Sequence, residues 1–243
     1  MSPRRFEAAR SLVAVLALAC VVAPAAGAQR EDRIGPKRME AGVDLTYALP
    51  VSQFRHNVRQ GFGGGGHFLL GIDPAGVLGI RIGADFVNYG NETQYLPLSS
   101  TFRRITLTQQ TSNNIVVASV GPQLTIPVGP IRPYVNGGIG FGYFYTQTSL
   151  QGDDNTGTIA QTTNFSDNSL AYTAGGGVYI PISVGRQTVS VDLGVRYNAI
   201  GKTRYLTRGD IQDDPYDPTG LIITPHESDA RFLMYRAGVA VRF

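Results

Sequence analysis

The chain has no tryptophan, one cysteine, three histidines and three methionines among its 243 residues, and only 16% of them are charged. Soluble globular domains carry roughly 25% charged residues, so the deficit is large. The single cysteine, Cys20, lies near the N-terminus, which leaves the rest of the chain without disulfides, cysteine–zinc centres or thiol catalysis. A net charge of +3 with no basic cluster excludes a nucleic-acid footprint. Beyond the first residues no run reaches 18 consecutive apolar side chains, so no helix is long and apolar enough to cross a membrane.

What is present begins with a leader. Arg4, Arg5 and Arg10 precede the apolar run 11–19, and Ala26 and Ala28 supply small residues before Gln29. A basic start, a short apolar stretch and a small-residue exit make residues 1–28 a secretory signal peptide, expected to be cleaved. Ala17 stands where lipoprotein signals carry Leu, so Cys20 is read as part of the leader rather than an acylated N-terminus. Without the leader the chain holds 18 basic and 17 acidic residues. Residues 29–38 are expected to form a short periplasmic segment ahead of one domain, 39–243.

That domain shows eight segments with period-two alternation, at about 39–49, 61–72, 77–89, 113–126, 131–147, 169–182, 188–200 and 231–243. Their links alternate. Asp73-Pro-Ala-Gly76, Pro127-Val-Gly-Pro130 and 183–187 are tight turns, whereas 50–60, 90–112, 148–168 and 201–230 are long and polar. An up-and-down sheet with two unlike ends has this order. The expected fold is therefore all-β: an eight-stranded antiparallel transmembrane β-barrel with short periplasmic turns and long extracellular loops.

Parity assigns the faces. Asp44, His67, Arg81, Asp85, Asp192, Arg196, Arg236 and Arg242 all fall on the non-apolar side of their segments. That side is rich in Gly, Ser and Thr and poor in Lys and Glu, as suits a narrow lumen better than a solvated surface. An eight-stranded interior is just wide enough for side chains to fill. These charges are read as a structural network of Asp–Arg pairs, with the pairing left open for want of a register. Tyr47, Phe62, Phe86, Tyr143, Tyr172 and Tyr197 lie on the apolar parity near the long-loop ends, and are read as an aromatic girdle at the membrane interface.

The leader, the eight segments, the loop asymmetry and the ending Tyr235-Arg-Ala-Gly-Val-Ala-Val-Arg-Phe243 together resemble the small eight-stranded outer-membrane barrels of Gram-negative bacteria, of the OmpA-transmembrane-domain and OmpX type. The resemblance covers 39–243. It implies residence in the bacterial outer membrane and Phe243 as the terminal assembly signal. The partners it implies are outer-membrane lipids, lipopolysaccharide and the assembly machinery. No cofactor and no metal are expected.

The resemblance specifies an architecture rather than one activity. The leading reading is a non-enzymatic barrel with a packed polar interior, acting structurally or through its loops, with Tyr95, Phe102, Arg103, Arg104, Tyr205 and Tyr216 as candidate contacts. A narrow channel for small solutes or hydrophobic molecules is the alternative. A lipid A-modifying enzyme is the second, because His226-Glu-Ser228 places a base and a nucleophile two residues apart. The acidic loop with Asp210, Asp213, Asp214 and Asp217 lacks EF-hand spacing and is read as a polar loop.

Overall fold

A computed structural model describes residues 39–97, 106–151, 158–184, 188–207, 209–213 and 221–243. The leader 1–28 and the segment 29–38 lie outside the described residues. Ten strands and one helical turn follow in chain order: β1 Met39–Val51, α1 Phe54–Asn57, β2 Gly61–Gly71, β3 Leu78–Pro97, β4 Thr106–Thr125, β5 Arg132–Gln151, β6 Thr158–Val184, β7 Thr188–Tyr205, β8 Ile211–Asp213, β9 Leu221–Ile223 and β10 His226–Arg242.

Eight of these strands close an antiparallel barrel in the order β1-β10-β7-β6-β5-β4-β3-β2, and β8 and β9 form a separate hairpin within the β7–β10 connection. The seam joins the first strand to the last, with Glu40 opposite Arg242 and Val51 opposite Arg231. At its periplasmic end the Phe243 amide donates to the Met39 carbonyl at 2.9 Å, and the Met39 amide returns a bond to the Phe243 carbonyl at 3.2 Å. The terminal residue thus completes the ladder.

Tight turns hold the periplasmic end. Between β2 and β3, the Asp73 carboxylate accepts the amides of Leu78 (2.7 Å) and Val77 (3.2 Å), and Gly76 supplies the left-handed residue at φ 72. Those backbone donors hold the Asp73 carboxyl below its ordinary range.

The outward face forms a continuous apolar band. On β10 it runs through Leu233, Tyr235, Ala237, Val239, Val241 and Phe243, and ends at the exposed Arg231. Ten residue steps of about 3.3 Å, tilted by about 40°, span about 25 Å, the height of an outer-membrane apolar band. On β3 the band is Leu78, Ile80, Ile82, Ala84 and Phe86. The pairs Arg231–Asp229 (3.1 Å), Lys202–Glu227 (3.7 Å) and Arg204–Asp167 (3.5 Å) stand above it.

The strands run further than the alternation indicates. β3, β4 and β5 have 20 residues each and β6 has 27, about twice the 9–11 that a membrane crossing needs. Most of 90–112 and 148–168, read as loops from the sequence, is therefore strand. So are the two ends of 201–230, and the 50–60 link contains α1. The physical reason is that both faces of the strands are polar above the band, so period-two hydropathy vanishes. Threonine and amide side chains pair across the strands instead: Thr111 with Thr148 at 3.0 Å, Thr146 with Asn113 at 2.6 Å, Asn88 with Asn114 at 2.9 Å.

This band makes a position-dependent prediction. Ile82→Arg, at the middle of the β3 band, should destabilise the barrel by about 2–4 kcal/mol, whereas Thr93→Arg on the extension should change stability by less than about 0.5 kcal/mol. Guanidinium folding titrations in lipid vesicles check it; equal costs would move the membrane boundary.

Candidate functional site

The lumen has two unlike halves. Its periplasmic half is charged, and room for the charges comes from small inward residues on neighbouring strands. The His67 ring lies over Gly42, its partner across β1 and β2, and the Asp85 carboxylate lies over Gly65, its partner across β2 and β3. A Cβ at either glycine would overlap these side chains.

Four arginines each have a principal carboxylate partner. The Arg236 guanidinium forks onto Asp44, with Nε donating to Oδ1 at 3.1 Å and Nη2 to Oδ2. Arg196 Nη2 donates to Asp85 Oδ2. Arg81 Nη2 stands 4.0 Å from Asp192 Oδ2, while its Nη1 donates to Gln123 Oε1 at 2.9 Å; the Tyr134 hydroxyl donates to Asp192 Oδ1 at 2.7 Å. Arg242 grips Glu40 at 3.0 and 2.8 Å. The network read from parity is thus placed inside the barrel, with Arg242 only half-buried at its periplasmic mouth. Glu40, Gln123, Tyr134 and Tyr179, whose hydroxyl accepts from Arg81 Nη1 at 3.3 Å, join the network without having been expected from the sequence. Glu40 shares the parity of Asp44, and that was the available signal.

Topology divides these pairs into two kinds. Glu40–Arg242 and Asp44–Arg236 both bridge β1 and β10, so they clasp the closing seam. Asp85–Arg196 and Arg81–Asp192 both join β3 to β7, which are not neighbours, so they are struts across the lumen. His67 sits among the clasps, with Nε2 at 3.7 Å from Glu40 Oε1 and Nδ1 at 3.9 Å from Asp44 Oδ2.

Donor atoms of Asp44, His67 and Asp192 lie within 4.8 Å of one another, a spacing compatible with a cation. Both Asp44 oxygens already accept from Arg236, and Arg81 faces Asp192. A divalent ion would add charge beside guanidinium groups that already neutralise these carboxylates. The arrangement fits ion pairs better than a metal centre.

The extracellular half of the lumen corrects the expectation of a polar interior throughout. Val87, Ile115, Val117, Phe144, Ile200, Phe232 and Met234 point inward and are almost fully buried. Apolar residues on both faces of a strand end weaken the alternation there. Parity scored on charge alone overlooks them. Phe54 of α1 enters this half from above and is 1% exposed. Tyr205, expected as a loop contact, is a buried residue of β7, because its ring packs against Phe54 at 5.1 Å. Tyr95 is 64% exposed, as a surface contact requires. Phe102, Arg103, Arg104, Tyr216, Asp214 and Asp217 lie outside the described residues.

Of the girdle residues, Phe62, Phe86, Tyr143, Tyr172 and Tyr197 face outward and are exposed. Tyr47 is half-buried because Phe62 and Tyr235 flank its ring at 4.9 and 6.5 Å. Ser228 and His226 do not meet as nucleophile and base. The Ser228 hydroxyl hydrogen-bonds the Tyr205 hydroxyl at 2.9 Å, and His226 Nε2 lies 3.3 Å from Asp210 Oδ1.

A family model described as "Outer membrane protein beta-barrel domain" matches residues 11–243. The chain belongs to that family. Solved structures of outer-membrane proteins are similar to the chain at low identity. OprG of Pseudomonas aeruginosa is 14% identical, with 87% of this chain and 99% of that one covered, at a TM-score of 0.47. Ail, the attachment invasion locus protein of Yersinia pestis, is 12% identical over 85% and 99%, at 0.45. Neisserial surface protein A is 15% identical over 84% and 97%, at 0.43. No curated protein sequence matches the chain.

The pairing pattern predicts unequal costs. Arg236→Met strips Asp44 of its guanidinium partner and should cost about 3–5 kcal/mol, the penalty for an uncompensated buried charge. Arg196→Met should cost less, since Arg236 Nε remains 4.0 Å from Asp85 Oδ1. The reverse order in urea unfolding of the micellar protein would refute the clasp assignment.

Proposed function

We propose that this outer-membrane barrel is a non-conducting, non-enzymatic surface protein whose tall β3–β6 wall engages the sugars of surrounding lipopolysaccharide. The observation that carries the reading is the filled lumen combined with the wall. Ion pairs occupy the lower half and apolar side chains the upper, while β3–β6 continue beyond the apolar band as a sheet of Thr, Ser, Asn and Gln. Amide and hydroxyl groups donate and accept together, which matches the hydroxyl pattern of carbohydrate. The bonding of Ser228 to Tyr205 rather than to His226 supports a role without acyl transfer. Phe243, outward and exposed at the foot of the seam, serves as the residue by which the assembly machinery takes up the last strand.

Two measurements test this. Planar-bilayer recordings should show no conductance steps from the native barrel, and none from Phe54→Ala, because the charged half remains filled; steps in the native protein would favour the channel. Replacing 92–111 and 148–162 with tight turns should leave a barrel whose gel mobility still shifts on heating. The same change should weaken capture of purified lipopolysaccharide at least tenfold relative to its lipid A portion alone. Unchanged capture would remove the wall from the interaction.

A further inference from the structure

The ring of Phe54 is enclosed by four others. Tyr205 meets it edge-on at 5.1 Å and 85°, Phe144 at 6.1 Å and 90°, Tyr89 at 6.1 Å and 62°, and Phe232 at 6.2 Å and 46°. Centroid separations of 4.5–7 Å with edge-to-face geometry are those of favourable aromatic packing. The box is built on β3, β5, β7 and β10, whereas its occupant comes from the short link between β1 and β2. Among the described residues two side-chain hydrogen bonds reach the link: the Tyr205 hydroxyl, inside the box, accepts from Asn57 Nδ2 at 2.9 Å and also hydrogen-bonds Ser228, while at the exposed end of the link the Tyr47 hydroxyl donates to Gln60 Oε1 at 3.3 Å.

The occupant is weakly fastened. α1 is a single turn of four residues whose N-cap, Gln53, makes no side-chain capping bond. A helix so short has no stability of its own. Ser52, at the hinge from β1, has φ 56 and is the single non-glycine residue with positive φ among the described residues, a conformation that side chains disfavour. Arg55, His56, Asn57 and Arg59 are exposed, so Phe54 and Val58 alone bury the link's side chains deeply.

We propose that the box is a binding site, open to the extracellular side, for a small neutral molecule bearing one aromatic ring and a hydrogen-bond donor, and that α1 occupies it as a built-in competitor. Phe54 stands in for the ligand's ring. Asn57, three residues on, stands in for its donor to Tyr205. Among the described residues the rings in contact with Phe54 are all uncharged, and His226, on Tyr205 at 6.2 Å, already faces Asp210, so a charged ligand would lose its hydration without compensation. Displacing α1 opens the upper half only. The ion pairs below keep the barrel closed to ions, so binding is independent of conduction and of the wall's proposed role.

The Val58 amide donates to the Phe54 carbonyl at 3.0 Å and reports displacement without any substitution. Benzyl alcohol, added to the full barrel in lipid nanodiscs, should speed exchange of that amide at least tenfold, leaving core amides such as Val43 unchanged. Asn57→Ala, which removes one hydrogen bond from an exposed side chain, should raise the ligand-free rate by about fivefold. In Val58→Cys, labelling by a small methanethiosulfonate should rise in parallel, with Arg59→Cys as the unchanged control. Exchange at Val58 unaffected by benzyl alcohol, or accelerated equally by tert-butanol, would overturn the proposal.

Discussion

Closure governs this molecule. In a bilayer no water reaches an unpaired backbone amide, so a sheet crosses only if its first and last strands find each other. Here β1 and β10 meet over twelve residue pairs, and Phe243 adds the last bonds to Met39. Two ion pairs inside the lumen, Glu40–Arg242 and Asp44–Arg236, lie along that junction. Their placement gives the contact between chain ends its own side-chain reinforcement. Struts from β3 to β7 then brace the lumen across its width.

Closure also dictates what fills the interior. An eight-stranded interior is just wide enough for side chains to fill, arginine and tyrosine side chains occupy it here, and inward glycines set where those side chains lie. The lower half resolves into charges that neutralise one another. Above it, the lumen behaves as an ordinary apolar core capped by a loop residue. A barrel of this kind presents lipid with a band of fixed height and leaves everything distinctive to its rims and its plug. Among the described residues the β3–β6 wall, the α1 insertion and the β8–β9 hairpin depart from a plain cylinder, and all three sit at the extracellular end.

Much of the candidate site was legible from residue parity. Asp44, Asp85, Asp192, Arg81, Arg196 and Arg236 share a face because side chains alternate along a strand, and a lipid-facing strand admits such charges on one side only. The partner choice was not legible: Asp44 meets Arg236 because the β1–β10 register places their side chains together, and no local pattern encodes a register between residues 192 positions apart. The apolar upper core escaped for a related reason. Val87, Ile115, Phe144 and Ile200 sit where outward neighbours are also apolar or weakly polar, so the alternation carries little contrast.

The sequence by itself determined the crossing strands, the outward apolar face, the inward charges and the turn-rich periplasmic end. These follow from a period of two and from Pro and Gly in tight links, which are local properties. Only the tertiary structure decided the strand extensions above the membrane, the division into clasps and struts, and the insertion of Phe54 among Tyr89, Phe144, Tyr205 and Phe232. Each of those depends on residues distant in sequence meeting across a closed sheet, and closure is a property of the whole barrel rather than of any segment.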